Sequence, residues 1–289
     1  MPTIPPEQPP LSEPEPREAH QARHIAESFG SDAERYDRTR PRYPDALVAR
    51  IVAESPGPDV LDVGTGTGIA ARQFQAAGSR ALGVEPDARM AEFARRSGVE
   101  VEVSTFEAWD TAGRTFDAVV AGQTWHWVDP VAGAAKAAHV LRPGGRLAVF
   151  WYVFQPPSAL AAAFSTVYRR VLPGSPFDRP TMPGLDTYSA FFTKAANGIQ
   201  QAGAFGDAEQ WRFDWEQPCT RDEWLEQVPT FGGHSQFPPD KLEALLNGIG
   251  AAIDAAGGSF TMRYTAVAVT ATRTDADRSQ QPRDKGNPV

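Results

Sequence analysis

The chain has 289 residues, 41% of them hydrophobic, with a formal net charge of −8, five histidines and a single cysteine, Cys219. That length and apolar content allow one large domain or two modest ones. The acidic balance, with no run of Lys or Arg, argues against a phosphate-backbone partner, and one cysteine excludes an intrachain disulfide. No apolar run reaches the ~18 residues that a membrane helix needs, and the start of the chain lacks the basic-then-apolar pattern of a signal peptide. These features predict a cytoplasmic protein that binds neither nucleic acid nor membrane.

Residues 1–18 are dense in Pro and Glu and are expected to be disordered. Order is expected from Ala19 to 273, with a loose tail over 274–289. His20 and His24 are four apart on an expected helix, but with no third ligand nearby they read as surface histidines and no metal site is expected. Residues 28–44 crowd together Tyr36, Arg40, Pro41, Arg42, Tyr43 and Pro44. This reads either as a structural arm or as a lid over a ligand.

The middle of the chain alternates. Strands are expected at 60–63, 80–84, 99–103, 116–121 and 146–151, with helices at 68–77, 87–96 and 130–140. Such alternation implies a mostly parallel sheet covered on both faces. Helices at 158–171 and 187–203 flank a Pro/Gly-rich loop. A strand at 210–216, helices at 221–228 and 238–256, and an apolar, β-branched strand at 260–272 close the chain. The fold expected is α/β and doubly wound: a seven-stranded, mostly parallel sheet with an antiparallel closing strand. The core is expected over 44–151 and a helical acceptor cover over 152–210.

The chemistry gathers at the strand ends, where ligands bind in such sheets. The first strand delivers Asp62 and three alternate glycines, Gly64, Gly66 and Gly68, ahead of a helix, so that backbone N–H groups face a ligand. The second ends at Glu85-Pro86, where a carboxylate can accept both hydroxyls of a ribose. The third ends at Thr105 and Phe106, suited to an adenine edge, and the fourth at Gln123, Trp125, His126 and Trp127. These describe a site for an adenosine-containing ligand. A dinucleotide remains open, since Gly66-Thr67-Gly68-Ile69-Ala70-Ala71 formally fits a Gly-x-Gly-x-x-Ala pattern. Asp62 and the absence of a basic residue in the loop argue against a diphosphate and hence against an NAD-dependent oxidoreductase.

Val60 to Gly68, Gly83-Val84-Glu85-Pro86 and Leu141 to Leu147 together resemble the motifs of class I S-adenosylmethionine-dependent methyltransferases. The arm Tyr36…Arg40-Pro41-x-Tyr43-Pro44 and His126-Trp127 further resemble the small-molecule branch that includes trans-aconitate-type enzymes. The resemblance implies S-adenosylmethionine as cofactor and a small methyl acceptor. It implies that Gly64, Thr65 and Gly66 approach the methionine portion, Asp62 its amino group, Glu85 the ribose, and Pro86, Thr105 and Phe106 the adenine. It further implies Gln123 beside the sulfonium and Tyr36 with Arg40 over the carboxylate. Many relatives carry an acid where Thr105 stands. Methyl transfer by in-line displacement to an acceptor oxygen is the expected reaction. His126 is the candidate base; the other reading is a histidine packed at the strand-to-helix corner and hydrogen-bonded to backbone. A non-catalytic cofactor-binding protein is the other reading.

Overall fold

A computed structural model describes residues 30–182 and 184–274. The expected tail at 1–18, all but Thr274 of the expected tail at 274–289, and His20 and His24, lie outside the described residues.

The chain opens with α1 (Ala33–Thr39), an extended turn through Tyr43, and α2 (Asp45–Ala53). Then come β1 (Asp59–Val63), α3 (Ile69–Ala76), β2 (Arg80–Glu85), α4 (Ala88–Arg96), β3 (Glu100–Val103), β4 (Phe116–Gly122), α5 (Pro130–Val140) and β5 (Leu141–Gln155). The second half holds α6 (Ser158–Val171), α7 (Leu185–Ala202), β6 (Glu209–Thr220), α8 (Arg221–Gln227), α9 (Pro239–Ala255) and β7 (Ser259–Thr272). All seven strands form one sheet in the order β3-β2-β1-β4-β5-β7-β6. The first five strands pair in parallel, and β7 runs antiparallel to both β5 and β6. The expected seven-stranded α/β fold is therefore the fold observed.

Local chemistry sets the boundaries. Asp87 caps α4 by accepting the Arg89 backbone N–H. Asp129 caps α5 through two backbone N–H groups ahead of Pro130, and Thr220 and Glu223 form a capping box on α8. The apolar run of β7 is buried along most of its length because the strand is sandwiched between β5 and β6. Strand β6 instead alternates, with Arg212, Asp214 and Glu216 exposed between Trp211, Phe213 and Trp215. It is an edge strand, which is why Pro218 is tolerated within it.

Two details differ from the sequence reading. Strand β5 runs well beyond 146–151, and Pro143-Gly144-Gly145 lies inside it at a register shift against β4 rather than in a preceding loop. The 152–210 segment divides between the two faces of the sheet, and both of its helices also line the cavity. Helix α6 packs with α2, α8 and α9 on one face of the sheet, through Leu160, Phe164 and Val171. Helix α7 packs beside α5 on the opposite face, through Phe192, Ala195 and Ile199. Large side chains such as Phe164 and Phe150 are fully buried here, and each contributes about 1.5–3 kcal/mol by leaving water. Over the carboxyl ends of the strands lie the α1 arm, Tyr168 of α6, the loop between α6 and α7, Tyr188 and Phe191 of α7, and the segment from Phe231 to His234.

Candidate functional site

A cavity of about 560 Å³ lies over the carboxyl ends of the parallel strands, spanning the point where β1 pairs with β2 on one side and β4 on the other. Tyr36, Arg40, Asp62, Gly64, Thr65, Gly66, Glu85, Pro86, Thr105, Phe106, Gln123 and His126 all line it. The twelve residues singled out in the sequence thus come together, although they span ninety positions.

The β1–α3 turn forms the floor. Gly64 and Gly66 have φ of +62° and +58°, a conformation costly for any side chain. At Gly64 a Cβ would lie 2.1 Å from Thr124 Cγ2, so the glycine allows the turn to close against the end of β4. Thr124 locks this contact by donating to the Gly64 carbonyl at 3.1 Å. At Gly66 a Cβ would meet nothing within 4 Å. Its open side is the cavity.

Two carboxylates sit at this floor, both buried. Glu85 accepts the Gly66 N–H at 2.8 Å through one oxygen and the Asp87 N–H at 2.9 Å through the other. Asp62 accepts the Thr65 hydroxyl at 2.6 Å. Burial raises both carboxyl groups to about 7, against these hydrogen bonds, which favour ionisation. A ligand carrying hydroxyls and a positive charge would restore what burial removes. Met90, Ile69, Val84, Pro86 and Phe106 give an apolar slot beside Glu85, which suits an adenine ring. No basic side chain of the turn faces the cavity; Arg72 is tied to Asp37 and to the Thr67 carbonyl. The donor set fits an adenosine with an amino-acid arm and suits a diphosphate poorly.

Gln123 follows β4 with φ of +57°. Its backbone N–H donates to the Phe150 carbonyl and its Nε2 to the Tyr152 carbonyl, both at 2.8 Å. The amide oxygen is left as the remaining acceptor.

His126 lies in the short turn Trp125–Trp127, stacked on Phe191 with ring centroids 4.9 Å apart. The Trp151 indole N–H donates to its Nδ1 at 3.1 Å. An indole nitrogen only donates, so the neutral ring carries its proton on Nε2. Burial lowers the imidazole to about 4. With Nδ1 occupied and Nε2 protonated, the ring is a hydrogen-bond donor. The ring's partner at Nδ1 is a tryptophan side chain.

The other half of the cavity is aromatic: Tyr152, Phe154, Tyr168, Phe177, Tyr188, Phe191 and Phe231. Here His234 is buried, with Nε2 2.8 Å from the Tyr168 hydroxyl. Burial, helped by nearby Arg40, lowers it to about 4. The sequence reading passed over Phe231-Gly232-Gly233-His234, whose glycine-rich aromatic composition was the available signal. Arg40 reaches this half too. Its guanidinium lies over the rings of Tyr36 and Phe231, at 4.6 and 5.1 Å, and it donates to the Thr230 carbonyl.

The methyltransferase domain profile matches residues 61–149, the stretch that builds the cavity floor. A demethylmenaquinone methyltransferase of Tropheryma whipplei is 30% identical over 162 residues, covering 52% of this chain and 67% of that protein. The chain belongs to the class I S-adenosylmethionine-dependent methyltransferases. An uncharacterised methyltransferase of Mycobacterium tuberculosis is 34% identical over 131 residues, or 45% of this chain and 54% of that one. The chain thus spans only about half the length of that relative. The fold is shared with a solved structure of a candidate type II methyltransferase from Anaeromyxobacter dehalogenans. That structure has a TM-score of 0.60 at 21% identity, over 81% of this chain and 97% of the other. Among the described residues, no helix is long and apolar enough to cross a membrane.

Proposed function

We propose that this methyltransferase transfers the methyl group of S-adenosylmethionine to an oxygen of a small organic acceptor that arrives already ionised. The observation that carries the reading is the division of one cavity into a floor with two buried carboxylates and an aromatic lobe without a free base. Asp62 and Glu85 would receive the cofactor's amino group and ribose hydroxyls, Gly64, Thr65 and Gly66 its amino-acid arm, and Pro86, Thr105 and Phe106 its adenine. Gln123 would offer its amide oxygen towards positive charge.

The cofactor supplies a methyl already activated by positive sulfur, so the C–S bond breaks as the O–C bond forms and no proton moves if the acceptor is ionised. Both histidines at the site are held neutral, His126 with Nδ1 engaged by Trp151 and His234 with both ring nitrogens engaged, by Tyr168 and the Gly232 carbonyl. That disfavours a protonated amine or alcohol, which would need a base. What the chain itself contributes is alignment and a dry aromatic wall, and alignment can account for a large part of the acceleration. His126, through Nε2–H, would orient the acceptor.

The test is incubation with S-adenosylmethionine and separate sets of carboxylic acids, phenols and amines. Release of S-adenosylhomocysteine and the mass gain of one methylene on the acceptor are the readouts. Turnover confined to acids and acidic phenols supports the reading. Turnover confined to amines would refute the choice of oxygen.

A further inference from the structure

The aromatic lobe contains a cation with nothing negative beside it. Arg38 and Arg42, two residues to either side, pair with Glu226 and Asp37. Arg40 has no carboxylate partner among the described residues; the Tyr152 hydroxyl is its hydrogen-bonding and electrostatic neighbour, with the hydroxyls of Tyr36 and Tyr188 also near. One Nη donates to the Thr230 carbonyl, while the buried Nε has no hydrogen-bond partner. A buried ionic donor left unmatched is costly. Its position beneath a cavity wall makes a ligand the natural partner.

The rest of the lobe has the same sign. Its other charged lining residue is Arg179, exposed at the mouth with its Nε on the Pro176 carbonyl. The acidic residues of the cavity (Asp62, Glu85 and Glu107) all come from the strand-end side that carries the turn and the adenine slot. The surrounding surface is flat and apolar: Phe154 and Phe231 stack at 5.3 Å, and Met182 and Phe177 close the far side. A polyanion would leave most of its charge against hydrocarbon, whereas one anionic group at Arg40 leaves a flat body to the rings.

We infer that the lobe takes an acceptor with a single carboxylate on a planar apolar skeleton, and that Arg40 receives the carboxylate. This rests on the methyl-transfer reading above and reassigns Arg40, with Tyr36 as its stacking partner, from the cofactor to the acceptor. The fork of a guanidinium matches a carboxylate through two parallel hydrogen bonds, and Nε is one of the donors such a pair uses.

The experiment is calorimetric titration of the full chain, first with S-adenosylhomocysteine and then, at saturation, with benzoate, cinnamate and indole-3-acetate and the methyl ester of each. At least one acid should bind about 10- to 100-fold more tightly than its ester, the range expected for a charge-assisted hydrogen bond. In Arg40→Gln that ratio should fall to within about threefold while S-adenosylhomocysteine affinity changes by less than about threefold. Esters binding as tightly as acids in the wild type would overturn the inference without needing the variant. So would a variant that keeps the acid preference and loses the nucleoside, which would return Arg40 to the cofactor. Acid binding without any S-adenosylhomocysteine binding would sink the methyltransferase reading alone, and nucleoside binding with no acid bound would sink this inference alone.

Discussion

Gly64 and Gly66 share a left-handed backbone and differ in what surrounds them, so alanine at each should fail in a different way. Both substitutions incur the backbone cost of a side chain at positive φ, about 1–2 kcal/mol. At Gly64 the new methyl would also lie 2.1 Å from Thr124 Cγ2 and 2.7 Å from its hydroxyl. Moving Thr124 breaks its bonds to the Gly64 and Gly122 carbonyls, both 3.1 Å. Overpacking of this kind adds about 1–3 kcal/mol, so Gly64→Ala should lose roughly 2–5 kcal/mol of folding stability in total. At Gly66 nothing is within 4 Å of the new methyl, and stability should fall by the backbone cost alone. The methyl then projects into the cavity, and a clash of about 1–3 kcal/mol with bound ligand weakens S-adenosylhomocysteine about 5- to 150-fold. Urea denaturation without ligand and calorimetry with it separate the two effects. If Gly66→Ala binds the nucleoside as the wild type does, the glycine turn is not a ligand cradle. Equal stability of the two variants would contradict the packing assigned to Thr124.

The pH dependence follows from Asp62 and Glu85. Their folded values, about 7, lie above their ordinary 3.8 and 4.5, so the folded protein holds protons that the unfolded chain has released. The stability due to them is complete below about pH 4 and is lost as pH rises through about 7, by up to roughly 3 kcal/mol for Glu85. Glu85→Gln should flatten that decline in a urea series from pH 5 to 8, in units of about one, and an unchanged slope would remove Glu85 as its source. His126 should stay neutral, protonated on Nε2, in nitrogen-detected NMR at neutral pH. Trp151→Phe, by freeing Nδ1, should move its titration upward from about 4; no movement would mean that burial alone sets it. Cys219 is buried and its thiol is pushed up to about 12, so it should ignore Ellman's reagent in the folded protein and react once unfolded.

Most of the fold was legible because it rests on local signals. The β-branched run before Gly64 and the apolar character of β7 each declare an element without reference to anything distant. The cavity floor was legible for a related reason: in a doubly wound sheet the carboxyl ends of the parallel strands share one edge, so Asp62, Glu85, Thr105 and Gln123 had to converge. What escaped was three-dimensional. The apolar stripes of α6 and α7 show that each is half-buried but not that they cover opposite faces of the sheet. The turns at Val228–Thr230 and His234–Gln236 have no periodicity to read, yet they bring Phe231 and His234 over the site. His126 stood at the expected strand end, but its role turns on a bond from Trp151, twenty-five positions away. Sequence position alone could not show which ring nitrogen was occupied.

The central claim is that Glu85 and the glycine turn hold an adenosylated amino acid and not a dinucleotide. Its most direct test is calorimetric titration with S-adenosylmethionine, S-adenosylhomocysteine and NADH, on the wild type and on Glu85→Ala. The account predicts that the first two bind at about micromolar Kd and NADH does not, and that Glu85→Ala, losing an acceptor bonded to two ligand hydroxyls, weakens both by at least about tenfold. NADH binding alone, or nucleoside affinity that survives Glu85→Ala, would contradict it.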